Sequence, residues 1–403
     1  MAGAEWFRRR SVQALFAALN QGGHEVRAVG GALRNTLLGL PVGDIDFAAT
    51  ALPADIVRFA EEAGLKSIPT GLGHGTITVV VEGERYEVTT LRRDVETHGR
   101  HATVAFTRDW AADAARRDFT INALYAAADG SVVDPLGGLG DLRARRVRFI
   151  NSAQERIRED YLRILRFFRF TAEYGDGPPD AEGLAACVTE RAGLERLSPE
   201  RIRAEMLRIL VSRAPIAAIE PMAETGLLIA LLGGVVYPRH LARMAAIEAG
   251  LGLPPVPIRR LAALAVRIEE DAARLAARLR LSNAEAARLD AMARLEPAMR
   301  RAMDGHGAKR ALYRLGPERY RDRVLIAWAK SPDVETDPAW REIDQLPGRW
   351  TAPGFILSGQ DLMGRGLKPG PQIGAALRDL EAKWIASDFT LSRDALLAAL
   401  DME

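Results

Sequence analysis

This 403-residue chain has a single cysteine, Cys187, so neither an intrachain disulfide framework nor a cysteine-rich zinc site can organise it, and a reducing compartment is expected. It lacks an apolar run of membrane-spanning length. Its start, Met1 to Asn20, sets Glu5, Arg8, Arg9 and Arg10 before a short apolar stretch, which reads as an amphipathic helix and not as a signal peptide. A cytoplasmic protein with no membrane partner is therefore expected. No repeat or low-complexity tract stands out, and no excess of one charge selects a partner class, since the net charge is only +2. An apolar content of 48% over this length is ample for sizeable cores in two or three domains.

The distribution of charge says more than its sum. Between Asp141 and Phe170 nine arginines face four acids, and between Arg259 and Arg323 sixteen Lys or Arg face nine acids. Such excesses can neutralise a nucleic-acid backbone. They also arise on ordinary charged helix surfaces, in a chain with far more arginine than lysine.

Organisation changes near residue 150. Upstream, β-branched runs recur in Gly75 to Val81 and Tyr86 to Thr90, joined by the turn Glu82-Gly83-Glu84, which predicts a hairpin. Downstream, apolar residues follow helical spacing almost throughout. Ser198-Pro199-Glu200 marks a helix start, and 252–257 and 331–338 read as connectors. The fold class is α+β: a small mixed sheet with helices over 1–145, then helical segments over 146–255 and 256–403.

Three clusters carry chemistry. In the first, a short strand at Val26 to Val29 runs into Gly30-Gly31 and a helix at Ala32 to Leu38, followed by Asp44-Ile45-Asp46. Glycines at a strand-to-helix turn let backbone N–H groups approach a phosphate. Asp44 and Asp46, two apart on an extended segment, project to one side while Ile45 and Phe47 face a core. Either half alone has an ordinary reading, a ligand-free turn or a solvated Asp-x-Asp; together they describe metal-assisted phosphoryl transfer. The second cluster is Arg116-Arg117-Asp118-Phe119-Thr120-Ile121-Asn122-Ala123, which taken alone also fits a helix start with Asp118 at the dipole.

In the third, Asp160, Arg163, Arg166 and Arg169 step by three along a predicted helix, leaving Leu162, Leu165 and Phe168 for the core. A solvated salt-bridge stripe has the same spacing. Cytosine and adenine, however, each present an amino donor beside a ring-nitrogen acceptor, whereas uracil and guanine present the reverse. An Asp that only accepts beside an Arg that only donates suits the first two bases and rejects the others.

These motifs resemble the DNA polymerase beta-like nucleotidyltransferases, specifically the class II branch of bacterial CCA-adding tRNA nucleotidyltransferases and poly(A) polymerases. The resemblance covers about residues 26–170. It implies a polymerase-beta-like head followed by an elongated all-helical neck, body and tail, with tRNA as partner through its 3′ end and acceptor minihelix, not DNA. Asp44 and Asp46 would hold two Mg²⁺ ions, with Glu87 in Tyr86-Glu87-Val88 as a candidate third carboxylate; an exposed strand glutamate is the other reading of Glu87. Gly30, Gly31, Arg34 and Arg117 would contact the nucleotide, Asp118 the sugar, and Asp160 and Arg163, with Arg166 and Arg169 alongside, the base. The segment 134–142 resembles the head-to-neck hinge, with glycines that permit rotation, and Asp94 to Asp109 resembles the family's flexible loop. His98 and His101 in that loop are a poor metal site.

The implied reaction is addition of C and A to the 3′ end of tRNA from CTP and ATP. The alternatives are poly(A) polymerase activity or addition of A alone or CC alone. The segment Gly71 to Val79 resembles the CCA-adding version. One departure is Asn35, where the family usually has Asp after Arg34.

Overall fold

The computed structural model describes residues 1–403 except 72, 74, 99, 100, 295, 296, 302 and 401–403, and not the side chains of 94–98 and 101–104. Within the Gly71 to Val79 motif, Leu72 and His74 therefore lie outside the described residues, as do Gly99, Arg100 and the His98 and His101 side chains. The chain forms two compact units, Met1–Leu231 and Leu232–Glu403.

The first unit is built on a seven-stranded mixed sheet. After helix α1 (Arg10–Leu19) come strand β1 (Val26–Val29), helix α2 (Gly31–Leu37), strand β2 (Asp46–Ala49), helix α3 (Pro53–Glu62) and strands β3 (Lys66–Gly71), β4 (Thr76–Val81) and β5 (Glu84–Thr90). Two further strands, β6 (Arg92–His98) and β7 (His101–Phe106), pair only with each other. The stretch expected as a loop thus includes a hairpin. Helix α4 (Trp110–Ala115) then leads to short strands β8 (Tyr125–Ala126) and β9 (Val132–Val133). Sheet order is β3-β4-β5-β2-β1-β8-β9; β2 and β5 are parallel and the other neighbours antiparallel.

The β4–β5 hairpin closes at Glu82 and Gly83, both in left-handed backbone (φ 52° and 87°), the geometry a two-residue turn requires. Inward residues of the sheet meet α1 in an aromatic file, Phe16 edge-on to Phe47 and Phe47 edge-on to Tyr86. Phe47 and Ile45 are buried while Asp44 and Asp46 are exposed, as the alternation predicts.

Helices complete the unit: α5 (Gly138–Arg143), α6 (Ala153–Glu159), α7 (Leu162–Tyr174), α8 (Ala181–Thr189), α9 (Pro199–Val211), α10 (Pro215–Glu224) and α11 (Leu227–Leu232). Around α5 one glycine, Gly138, serves close packing, while Gly137 and Gly140 face open space. A Cβ on Gly138 would lie 2.2 Å from the Thr120 carbonyl oxygen. The Gly138 and Leu139 N–H groups donate to Asp134, and buried Asp141 accepts from Thr120, Arg146 and Arg148.

The second unit is helical: α12 (Pro238–Gly250), α13 (Pro257–Ala265), α14 (Glu269–Arg278), α15 (Asn283–Ala293), α16 (Gly305–Lys330), α17 (Pro338–Arg349), α18 (Gly359–Met363), α19 (Pro371–Ala386) and α20 (Arg393–Leu400). Gly316-Pro317 kinks α16: Gly316 has φ 72° and Pro317 cannot continue the hydrogen-bond ladder. Part of the local arginine excess is internal here. Arg259 donates to both Glu248 and Asp322, Arg260 to Glu248 and Arg288 to Asp322, and both carboxylates are buried. Among the described residues no helix is long and apolar enough to cross a membrane.

Candidate active site

The β1–α2 turn needs a glycine at 30 because its φ is +74°, and its N–H is spent on the Leu124 carbonyl (3.1 Å) rather than left for an anion. Helix α2 begins at Gly31, a residue earlier than expected. From it buried Arg34 donates to Asn122 Oδ1 (2.5 Å), Asn35 Oδ1 (2.9 Å) and the Tyr174 hydroxyl (2.7 Å), and lies 3.9 Å from the Tyr174 ring. The amide of Asn35 therefore holds Arg34 by hydrogen bonding where an aspartate would add an ion pair. Its own N–H₂ donates to the Pro41 carbonyl, which fixes that orientation.

Asp46 opens β2, and its register partner on β5 is Glu87. The Asp46 carboxyl is held above its ordinary range, first by partial burial and then by the Glu87 and Asp44 carboxylates, with Arg117 opposing. Negative charge thus accumulates at this strand edge. Among the described residues no three His, Cys, Asp or Glu side chains converge into a ready-made metal cage. The neighbouring Asp44, Asp46 and Glu87 carboxylates are hard oxygen donors of the kind Mg²⁺ takes, one or two at a time, with water and substrate phosphate completing its shell.

Arg117 is braced from behind. Its Nη2 reaches Asp113 Oδ2 (3.1 Å) and its Nε donates to the Tyr125 hydroxyl (3.2 Å), which itself donates to Asp113 (2.8 Å). Arg116 takes the other Asp113 oxygen at 2.8 Å. Asp118 is buried with both oxygens engaged: Oδ1 by the Phe119 N–H and Asn122 Nδ2, Oδ2 by Arg166 Nε and Nη2 at 2.9 and 2.5 Å. Burial alone would raise this carboxyl, but Arg166, Asn122 and Arg163 outweigh it and hold it below its ordinary value.

The stripe expected to read the base differs from expectation. Asp160 does not continue the helix: its backbone is extended (φ −152°, ψ 106°) and ends α6, while its Oδ1 accepts the Leu162 N–H at the start of α7. Its ion-pair partner is Arg201 on α9 (2.6 Å), not Arg163. Arg163 pairs instead with Glu159 and donates to the Arg156 carbonyl (2.7 Å). Arg169 is turned to Glu205 on α9 (2.6 Å) and does not line the cleft. Leu165 and Phe168 are buried, but Leu162 is only half-buried and lines the site.

A cleft of about 480 Å³ collects most of these groups. Gly30, Gly31, Arg34, Asp46, Arg117, Asp118, Asp160, Arg163 and Arg166 line it; Asp44 and Glu87 lie outside its lining. Arg116, Asn122, Phe170 and Arg201 also line it; the sequence placed Arg116 and Asn122 in a motif without giving them a role, and Phe170 and Arg201 were not expected there. The Arg201/Glu205 pair at i,i+4 on the helix after Ser198-Pro199 is the signal that could have found Arg201, because it addresses Asp160 and Arg169, themselves on one stripe.

Comparison with known proteins agrees with this architecture. Residues 26–148 match the family model of the poly(A) polymerase head domain, and residues 180–236 match the one described as "Probable RNA and SrmB- binding site of polymerase A". The chain is 35% identical over 402 residues to the Mus musculus protein named CCA tRNA nucleotidyltransferase 1, mitochondrial, covering 96% of this chain and 88% of that one. It is 30% identical to the CCA-adding enzyme of Limosilactobacillus fermentum, covering 96% and 94%. The crystal structure of the Bacillus stearothermophilus CCA-adding enzyme in complex with CTP is similar at a TM-score of 0.70 and 27% identity, covering 94% of this chain and 93% of that one.

Proposed function

The chain belongs to the family of CCA-adding tRNA nucleotidyltransferases, and on that premise we propose that it adds C and A to the 3′ end of tRNA from CTP and ATP, releasing pyrophosphate and using no nucleic-acid template. The observation that carries this reading is the single cleft in which Asp46 shares a wall with Arg117, Asp118, Asp160 and Arg163. One side supplies charge for phosphoryl transfer and the other reads a base.

In this reading the head over 1–145 does the chemistry, 146–255 reads the base, and 256–403 contributes tRNA binding. Asp44 and Asp46, with Glu87 beside them, would hold Mg²⁺, whose bound charge would make the tRNA 3′-hydroxyl easier to deprotonate and the pyrophosphate easier to release. Arg117, held by Asp113 and Tyr125, and Arg34, held by Asn35 and Tyr174, meet the triphosphate as pre-oriented cations, so little ordering is left to do when the nucleotide arrives. Asp118, fixed by Arg166, faces the sugar. Asp160 accepts from the exocyclic amino group of C or A through lone pairs left beside Leu162 and Arg201, while Arg163 donates to the ring nitrogen.

The test is to supply tRNA transcripts ending at the discriminator base, at C and at CC, with CTP and ATP singly and together, and to sequence the products. The reading requires stepwise completion to CCA. Unlimited A tracts on any RNA would make the chain a poly(A) polymerase, and arrest after CC or addition of A alone would make it a specialist.

A further inference from the structure

We propose that the cationic cluster formed in the second unit by Arg239, His240, Arg267 and Lys330 is a docking surface for the phosphate backbone of the tRNA, a proposal that rests on the tRNA activity above. Three helix ends meet there. The Tyr237 N–H donates to the Leu264 carbonyl at 2.7 Å, tying the start of α12 to the end of α13. Arg243, one turn into α12, donates to the Ala329 carbonyl at 3.0 Å and ties α12 to the end of α16. Arg239 and His240 on α12, Arg267 just past α13 and Lys330 closing α16 are thereby gathered at one end of the packed helices.

Among the described residues, three of its cations carry no paired acid. Arginines 259, 260 and 288 in the same unit are consumed by Glu248 and Asp322. In the cluster, Arg243 is matched by Glu335 (3.0 Å). Asp271 is committed to Arg274 and to the backbone N–H groups of Arg267 and Ile268. Arg239, Arg267 and Lys330 have no side-chain ion pair among the described residues, and Arg239 and Arg267 are exposed. Tyr237 and His240 stack at 5.1 Å with planes 19° apart, and Arg267 lies 5.5 Å from the Tyr237 ring. The buried His240 Nδ1 has no hydrogen-bond partner.

The cluster's own electrostatics point the same way. Burial disfavours the His240 cation, and Arg267, Lys330, Arg243 and Arg239 all disfavour it further. Burial pulls Lys330 down to about 8, with Arg267 and Arg323 adding to the effect and Asp271 opposing it. Such mutual repulsion is relieved by an anion. An RNA backbone brings several at the spacing of successive phosphates, and recognition of that kind serves every tRNA regardless of sequence.

The experiment measures the affinity of the full-length protein for a tRNA transcript lacking CCA between about 50 and 200 mM salt. It compares wild type, Arg267→Gln/Lys330→Gln, Arg239→Gln/Arg267→Gln at exposed positions, and Arg294→Gln as a control. Each double variant should bind roughly tenfold more weakly at low salt and show a log–log salt slope shallower by about one to two. The KM for tRNA should rise while kcat at saturating tRNA and the preference for ATP and CTP stay unchanged. If wild type binds tRNA and both double variants keep its slope and KM, the docking surface is wrong and the activity stands. If wild type neither binds nor extends tRNA, the proposed activity falls and takes the docking surface with it.

Discussion

Asp46 and Glu87 are register partners on the adjacent parallel strands β2 and β5, so two carboxylates stand side by side, Asp46 in the lining of the candidate cleft and Glu87 just outside it. Replacing Asp46 with Ala should lower nucleotide addition by at least about a hundredfold, the scale on which losing one transition-state charge stabiliser acts, while tRNA affinity changes little. Glu87→Ala should retain measurable turnover and require more Mg²⁺ for half-maximal rate. A Mg²⁺ titration of both variants checks this; an unchanged Mg²⁺ requirement in Glu87→Ala would make Glu87 an ordinary strand residue.

The Asp118–Arg166 pair makes a pH prediction. In wild type the folded-state value of Asp118 lies below its unfolded value, so its contribution to stability is complete above about pH 4 and is lost as pH falls through the folded value. Arg166→Met removes the main group holding that carboxyl down, and burial then pushes it up. The sign reverses: the unfolded state releases the proton first, so the variant loses stability relative to wild type as pH rises from about 4 to 7. Thermal midpoints at pH 5 and pH 7.5 should show the larger gap at the higher pH. Equal gaps would mean that Arg166 does not set the Asp118 proton affinity.

In the second unit, Asp322 is the single acceptor between Arg259 (2.8 Å) and Arg288 (2.7 Å), and it is buried. Asp322→Asn removes the charge shared by these two guanidinium groups, leaving Arg259 with Glu248 and Arg288 with Glu318, and should cost about 1.5–3 kcal/mol. Denaturant unfolding followed by tryptophan fluorescence measures it, with Trp328 and Trp340 stacked in the same unit as reporters. A loss below about 1 kcal/mol would show that the remaining network compensates.

Much of the catalytic half was legible because its signals are local. The Gly30-Gly31 turn, the Asp44/Asp46 alternation and the hairpin at Glu82-Gly83 each follow from two or three adjacent residues, and the fold places all three, although the Gly30 N–H expected at a phosphate is taken by the Leu124 carbonyl. Asp160 was misread for a physical reason. Its three-residue spacing to Arg163 fits a helix, but an aspartate side chain also caps a new helix by accepting the N–H two residues on, and here that choice wins. Its true partner, Arg201, is supplied by α9 and has no local signal at Asp160. Counting arginines failed differently. The excess between Arg259 and Arg323 cannot distinguish Arg259, buried against Glu248, from Arg267, exposed over Tyr237; only tertiary packing separates the two.

The account stands or falls on selection of the base by protein side chains, and competitive single-nucleotide incorporation by wild type and Asp160→Ala tests that most directly. Removing Asp160 deletes the acceptor for the amino group of C or A and frees Arg201, while Arg163 stays oriented by Glu159. A charge-assisted hydrogen bond of this kind is worth about 1.5–3 kcal/mol, so discrimination against UTP and GTP should fall by roughly ten- to a hundredfold while the chemical step survives at reduced rate. A variant that is slower yet rejects UTP and GTP as strongly as wild type would show that Asp160 positions the nucleotide without reading its base, and would contradict template-free selection by this cleft.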